Sequence, residues 1–168
     1  MSVLRLNISK LSEGVHKYSL EAQPGDIGLD ERFDRPVSVS ATLEKTSRQL
    51  FLHVELVTAG LFSCDRCLDE LRREVKGNYT ITYVPDAEAA EGLDEFEVQY
   101  IHADTNVIDL GEDVRQFTSL ALPLKILCRE ECAGLCPVCG INKNKASCDH
   151  APESTDSRLS ALKRFLEN

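Results

Sequence analysis

A chain of 168 residues with 42% hydrophobic content is long enough for one domain with a small appendage, and with no Trp and one Met its core must be mostly aliphatic. No stretch approaches the ~18 consecutive apolar residues that span a bilayer, and the opening MSVLRLNISKL lacks the basic-then-apolar pattern of a signal peptide, so a cytoplasmic location with no membrane partner is expected. The net charge of −9 is uneven: ten of the 28 acids lie between Asp86 and Asp113, a stretch without Lys or Arg, and the nearly neutral remainder shows no basic face of the kind used for nonspecific nucleic-acid binding.

In chain order, Val3 to Ile8 alternates as a short strand, with Val3 and Arg5 on one side and Leu4, Leu6 and Ile8 on the other. Val15 to Leu20 reads as a second strand. Gln23 to Leu29, with Pro24, Gly25 and Gly28, reads as a loop. Val37, Val39, Ala41 and Leu43 then alternate with polar residues. After a polar turn around Lys45 to Arg48, so do Leu50, Leu52, Val54 and Leu56, which together read as a hairpin with one buried face. Leu71 to Val84 alternates again, with Val75, Tyr79, Ile81 and Tyr83 on one face and Gly77 marking a bulge. Pro85 ends that strand, Asp86 to Glu95 reads as an exposed acidic loop, and Phe96 to Ile101 as a further strand. Val107 to Leu122 places Leu110, Val114, Phe117, Leu120 and Ala121 near helical spacing, with Pro123 as its stop. Beyond a linker at 151–155, Asp156 or Ser157 N-caps a terminal helix whose stripe is Leu159, Leu162, Phe165 and Leu166.

Seven cysteines in a reducing compartment call for a reason other than disulfides, and an odd number pairs badly. Their spacing supplies one: Cys64-x2-Cys67, Cys128-x3-Cys132, Cys136-x2-Cys139 and Cys148-x-His150 make eight donors, which divide into two sets of four. Structural zinc takes four thiolate or imidazole ligands in a tetrahedron. Pro137 fixes the turn of the third pair, and Gly140 is free to adopt a positive φ behind it. The preferred partition puts Cys136, Cys139, Cys148 and His150 in one local site, because the loop to be closed is short. Cys64, Cys67, Cys128 and Cys132 then form the second. A swapped arrangement joining Cys64 and Cys67 to Cys136 and Cys139 stays open. The single His16, His53 and His102 read as ordinary surface or strand histidines. The expected fold is therefore α+β, mainly β: an antiparallel sheet and hairpin domain over 1–127 with one internal helix and the Cys64–Cys67 knuckle, a zinc-binding module packed on it over 128–150, and a linker with a terminal helix over 151–168.

Two Zn2+ ions with complete donor sets leave no open position for a catalytic water. The zinc deaminase pattern asks for His-x-Glu upstream of Pro-Cys-x-x-Cys, whereas His102 is followed by Ala103 and Asp104. There is no P-loop, no G-x-S-x-G and no dinucleotide-binding glycine pattern. The expectation is a protein that is not an enzyme and takes no small-molecule substrate. Four thiolates on zinc carry −2 and three with a neutral His carry −1, so the loaded chain sits near ~−12.

The run Leu127 to Asn144 (LCREECAGLCPVCGINKN) followed by Cys148, the Cys64-Asp65-Arg66-Cys67 pair behind a long hairpin, and Asp156 to Lys163 (DSRLSALK) are similar in order and separation to the YceD family of large-subunit ribosomal RNA accumulation proteins. Many relatives end the module with Cys-x-Cys where this chain has Cys148-Asp149-His150. Zinc accepts His for Cys, so the resemblance carries the ligand role to His150. Other relatives lack the Cys-Pro-x-Cys-Gly module, which points to support of stability rather than of the core activity. The resemblance implies a bacterial or plastid factor of ribosome biogenesis that supports synthesis or accumulation of large-subunit (23S) ribosomal RNA.

Two partner classes follow. One is pre-ribosomal RNA or an assembly protein, met by Arg66, Arg72, Arg73 and Lys76 beside the first site and by Lys143 and Lys145 in the second. Against it, Asp65, Asp69, Glu70 and Glu74 cancel the first group's charge and leave a solvated face, and Asn142 and Asn144 read equally well as caps of the zinc loop. The other is a basic ribosomal protein, bound by the acidic segment 86–113 without RNA contact. The alternative there is a solubilising loop.

Overall fold

The computed structural model describes residues 3–86, 88–92, 97–102 and 104–150. The expected linker and terminal helix at 151–168, and Phe96 of the expected strand, lie outside these residues.

Among the described residues seven strands and one α-helix build the fold. Strands β2 (Gly14–Ala22), β3 (Val37–Lys45), β4 (Leu50–Ser63), β5 (Glu70–Val84) and β6 (Val98–Tyr100) form a sheet in that spatial order, while β1 (Arg5–Asn7) pairs with β7 (Val107–Asp109) in a separate two-stranded sheet. Helix α1 (Gly111–Leu120) packs on β5. The architecture is mainly β, with one α-helix among the described residues, as the alternation of the sequence anticipates.

The alternating residues of β2–β5 turn one face inward. Val37, Val39, Ala41, Leu43, Leu52, Val54, Leu56, Val75, Tyr79, Ile81 and Tyr83 are all buried there. Leu4, Leu6, Ile8, Ile108, Leu110 and Val114 close the core from the other side. Each fully buried Leu or Val contributes about 1.5–3 kcal/mol relative to exposure, so this face is where the fold draws its stability. Phe117 of α1 stacks on Tyr79, with ring centroids 4.4 Å apart and planes 12° from parallel.

Four details differ from the sequence reading. The β4–β5 ladder runs without interruption from Leu50↔Tyr83 to Ser63↔Glu70, so Gly77 makes no bulge. It makes room instead, since a Cβ there would come within 3.2 Å of the Ala121 methyl at the end of α1. The helical pattern over Val107 to Leu122 begins too early. Its first three residues form β7, where Ile108 faces Leu6, and the Asp109 carboxylate accepts the Gly111 N–H at 3.0 Å to start the helix. The presumed loop at Gln23 contains a 3₁₀ turn, Pro24–Ile27. Finally, β6 joins β5 in parallel, not antiparallel. A parallel pair needs a crossover rather than a tight turn, and the chain between Val84 and Val98 makes that connection.

The β4–β5 hairpin is the longest feature, and it projects its tip beyond the rest of the sheet. The chain entering β3 lies against it: the Leu61 N–H donates to the Arg32 carbonyl at 2.8 Å, and Phe33 forms an isolated bridge with Gly60. A Cβ on Gly60 would sit 2.3 Å from that same carbonyl oxygen. Gly60→Ala is therefore expected to cost about 1–3 kcal/mol in urea unfolding through forced overpacking. Gly25→Ala, where the new methyl meets nothing within 4 Å, should change stability little. Equal stability of the two variants would contradict the close approach.

Candidate metal centres

The tip of the hairpin is a knuckle. Cys64 follows β4, the Cys64 N–H donates to the Asp69 carbonyl at 2.9 Å, and the Leu68 N–H returns to the Cys64 carbonyl at 2.9 Å. Residues 135–142 repeat this shape, with the Cys136 N–H donating to Ile141 at 2.8 Å and the Gly140 N–H to Cys136 at 2.9 Å. The residue after each second cysteine is left-handed: Gly140 at φ 72° and Leu68 at φ 60°. Glycine takes that conformation without strain. Leu68 takes it because the tight return to Cys64 leaves no alternative, and its side chain stays exposed.

All eight sequence-derived donors are brought together in two groups. Cys64, Cys67, Cys128 and Cys132 form one, and Cys136, Cys139, Cys148 and His150 the other, with the ligand atoms of each group within 4.8 Å of one another. The grouping is the partition preferred from the sequence, and the swapped pairing is not the one assembled. In the first group Cys64 Sγ lies 3.8 Å from Cys132 Sγ, and Cys67 Sγ lies 3.7 Å from Cys128 Sγ. A disulfide would need about 2.05 Å. Zinc–sulfur bonds of about 2.3 Å set the edge of a tetrahedral thiolate cage at about 3.8 Å, so the donor set fits such an ion. Cys64, Cys67 and Cys132 are buried while Cys128 is exposed; in the second group Cys136 is buried and Cys139 and His150 are exposed.

Backbone N–H groups aim at the sulfurs. Burial opposes the Cys64 thiolate, but the N–H groups of Cys128, Cys67 and Arg66 outweigh it and hold that thiol down at about 6. The N–H groups of Cys139 and Val138 hold Cys136 at about 6 as well. Neighbouring sulfurs then resist further ionisation. For Cys67 the Asp69 N–H favours the thiolate, yet burial and the sulfurs of Cys64, Cys132 and Cys128 push it up to about 12. Cys148 rises first through Cys136. Crowded thiols of this kind ionise together only around a cation.

The two groups are tied to each other. Asp65 pins the chain arriving from α1, its carboxylate accepting the Ile126 N–H at 2.6 Å and its own N–H donating to the Ile126 carbonyl at 2.8 Å. Arg66 Nη1 donates to the carbonyls of Glu130 at 3.2 Å and Cys132 at 3.0 Å, and its own carbonyl accepts the Leu135 N–H at 3.0 Å. Asp69 receives Lys145 Nζ at 2.7 Å and Asn142 Nδ2 at 3.0 Å. Its carboxyl is held below the usual range, first by Lys145. Asn144, from the second group's loop, donates to Cys132 Sγ at 3.2 Å in the first, while its oxygen accepts the Ala133 N–H at 2.9 Å and Arg129 Nη2 at 2.6 Å.

These bonds change the reading of the basic residues. Arg66 and Lys145 are struts between the two groups, and Arg72 is held by both oxygens of Asp34 at 2.7 and 2.6 Å. Lys76 pairs with Glu74 at 2.6 Å. Arg73 is half-buried on β5, and Lys143 is exposed, its N–H donating to the Gly134 carbonyl at 2.9 Å. Asn142 and Asn144 do cap the loop, the Asn144 N–H donating to the Asn142 side chain at 2.9 Å. Sequence reasoning missed the strut roles of Asp65 and Asp69 and the left-handed Leu68. The matching Cys-x-x-Cys spacing of the two knuckles was the available signal for Leu68.

A mainly-β sheet protein whose cysteine-rich segment meets one hairpin tip through a shared four-donor cluster and carries a second, local one is the class this fold and site define. The chain belongs to the family described as large ribosomal RNA subunit accumulation protein YceD, whose model matches residues 52–166. It is similar to uncharacterised proteins of Mycobacterium tuberculosis and Mycobacterium bovis, each 32% identical over 129 residues covering 70% of this chain and 61% of the relative. It is also 23% identical over 191 residues to the large ribosomal RNA subunit accumulation protein YCED homolog 1, chloroplastic, of Arabidopsis thaliana, covering 97% of this chain and 60% of the relative. The chain thus spans about three fifths of the length of these relatives. No solved structure matches it. Among the described residues no helix is long and apolar enough to cross a membrane.

Asn144→Ala removes the one side-chain donor that the second loop lends to Cys132. Outer hydrogen bonds of this kind are worth ~10–100-fold in metal affinity. Competition against a chromophoric chelator should show the Cys64–Cys132 set weakened by that range, and unchanged affinity would contradict the coupling.

Proposed function

We propose that this chain is a non-catalytic, cytoplasmic zinc-binding factor of ribosome biogenesis that supports accumulation of large-subunit (23S) ribosomal RNA, through contact with pre-ribosomal RNA or an assembly protein. The observation that carries the metal part is the pair of complete four-donor sets with thiolate spacing of 3.7–3.8 Å in the first. Each set is full, so the ion is a staple without a vacant position for substrate. The module needs one. Among residues 128–150 only Cys132, Gly134 and Cys136 are buried, with no aliphatic side chain among them. Structural zinc contributes ~10–16 kcal/mol to such modules, more than the half-buried Leu135 and Ile141 supply. Family membership carries the ribosomal RNA part.

A second reading is an acidic adaptor for a basic ribosomal protein, without direct RNA contact. Exposed Asp86, Glu88, Glu91 and Asp104 favour it, as does the engagement of Arg66, Arg72 and Lys145 in internal bonds. Deleting residues 86–95 separates the two, since only the adaptor loses its partner.

Metal analysis of reduced, purified chain is expected to give two zinc ions per molecule. A version ending at Leu127 should hold none tightly, because it lacks Cys128 and Cys132. A well-folded metal-free chain that ignores chelators would overturn the reading. In cells, loss of the chain should lower large-subunit relative to small-subunit ribosomal RNA. Restoration by the parent sequence but not by Cys67→Ser with Cys132→Ser would link that role to the first cage, and equal restoration would break the link.

A further inference from the structure

Far along the sheet from the cysteine groups, three turns enclose a cleft of about 370 Å³, within the ~300–1,000 Å³ typical of small-ligand sites. The β3–β4 turn forms one wall, and is rigid because Thr46 Oγ1 donates to the Gln49 carbonyl at 3.0 Å and accepts the N–H groups of Gln49 at 3.1 Å and Arg48 at 3.3 Å. The turn after β1 forms a second wall, and Ile101, His102, Thr105 and Asn106 a third.

Its lining combines two chemistries. Lys10, Lys45 and Arg48 contribute three cations and no carboxylate lines the cleft, although Asp86 and Asp104 adjoin lining residues in sequence. Lys45 is fixed by donating to the Leu11 carbonyl at 2.8 Å. Among the described residues Lys10 and Arg48 make no ion pair. This differs from Arg66, Arg72 and Lys145, all spent on internal partners. Lys10 is also held left-handed at φ 59°, a conformation that costs a lysine energy and clusters at functional sites. Ile8, Leu50, Ile101 and Tyr83 also line it, with Leu50 and Ile101 half-buried and Ile8 and Tyr83 buried.

We propose that this cleft seats a nucleotide of single-stranded RNA, its base against the apolar wall and its phosphate between Lys10, Lys45 and Arg48. Proteins hold unpaired RNA in positively charged grooves where bases stack on aromatic side chains or Arg planes, and here Arg48 and His102 line the cleft beside the apolar residues. An acidic peptide would use the cations but leave the apolar wall idle. The inference rests on the reading that this chain works on ribosomal RNA, and it moves the contact surface from the zinc loops to the opposite end of the sheet.

The test uses the full zinc-loaded chain and a short fluorescein-labelled oligouridine, with anisotropy followed across a salt series. Lys10→Glu with Arg48→Glu should weaken binding at least tenfold and flatten the logarithmic salt slope by about one or more, as expected when phosphate contacts are lost, with zinc content and circular dichroism unchanged. Amide shifts of the parent chain on adding the oligonucleotide should centre on residues 9–10, 45–50 and 101–106. Unaltered affinity in the double variant, or loss seen instead with Lys143→Glu, overturns the cleft as the RNA seat. Binding of polyglutamate but not oligouridine overturns RNA as its ligand. Ribosomal RNA levels in cells carrying the double variant separate the two claims. If the chain is needed for accumulation but the double variant restores it fully, the cleft proposal falls and the wider function stands. If the chain is not needed at all, the wider function falls.

Discussion

Sulfur atoms on segments 61 and 68 residues apart must converge to within 3.8 Å at the tip of one hairpin, and most of the molecule is organised around that convergence. Closing so long a loop costs chain entropy. The sheet core offsets that cost, because α1 packs on β5 and so directs the chain that follows it toward the hairpin. Asp65 then fastens Ile126 beside the knuckle. The remaining distance to Cys128 is short. The uninterrupted β4–β5 register serves the same end, since a bulge would re-aim the tip.

The second cluster depends on the first in turn. Its segment buries no aliphatic side chain, and its hydrogen bonds run to Arg66, Asp69 and Cys132, all in the first group or its knuckle. Charge follows the same logic. Arg66, Arg72, Lys76 and Lys145 near the cages hold carbonyls and carboxylates of their own chain. Several of the acids sit in the crossover that brings β6 beside β5. Unspent cations remain at the far end, where turns rather than strands set the surface.

Periodicity made the sheet legible. Alternation over residues 37–56 and 71–84 named nearly every inward side chain, because one buried face admits a single register. Spacing did the same for the eight candidate donors, whose four pairs are read along the chain with gaps of one to three residues, while their grouping needed the fold. The boundary between β7 and α1 was hidden, since Ile108 and Leu110 suit either a strand or a helix start until β1 is present as a partner. The parallel placement of β6 was equally hidden, because local pattern carries no information on strand direction.

The sequence by itself therefore determined the mainly-β class, the inward face, and the eight candidate donors in their four pairs, all consequences of short-range spacing and of which residues water rejects. Only the tertiary structure decided that Arg66, Arg72 and Lys145 are internal struts, that Leu68 is left-handed, and that Lys10, Lys45 and Arg48 share a cleft. Ion pairing and concavity arise between segments tens of residues apart, and charge read along a chain does not say which opposite charge will be within 3 Å after folding.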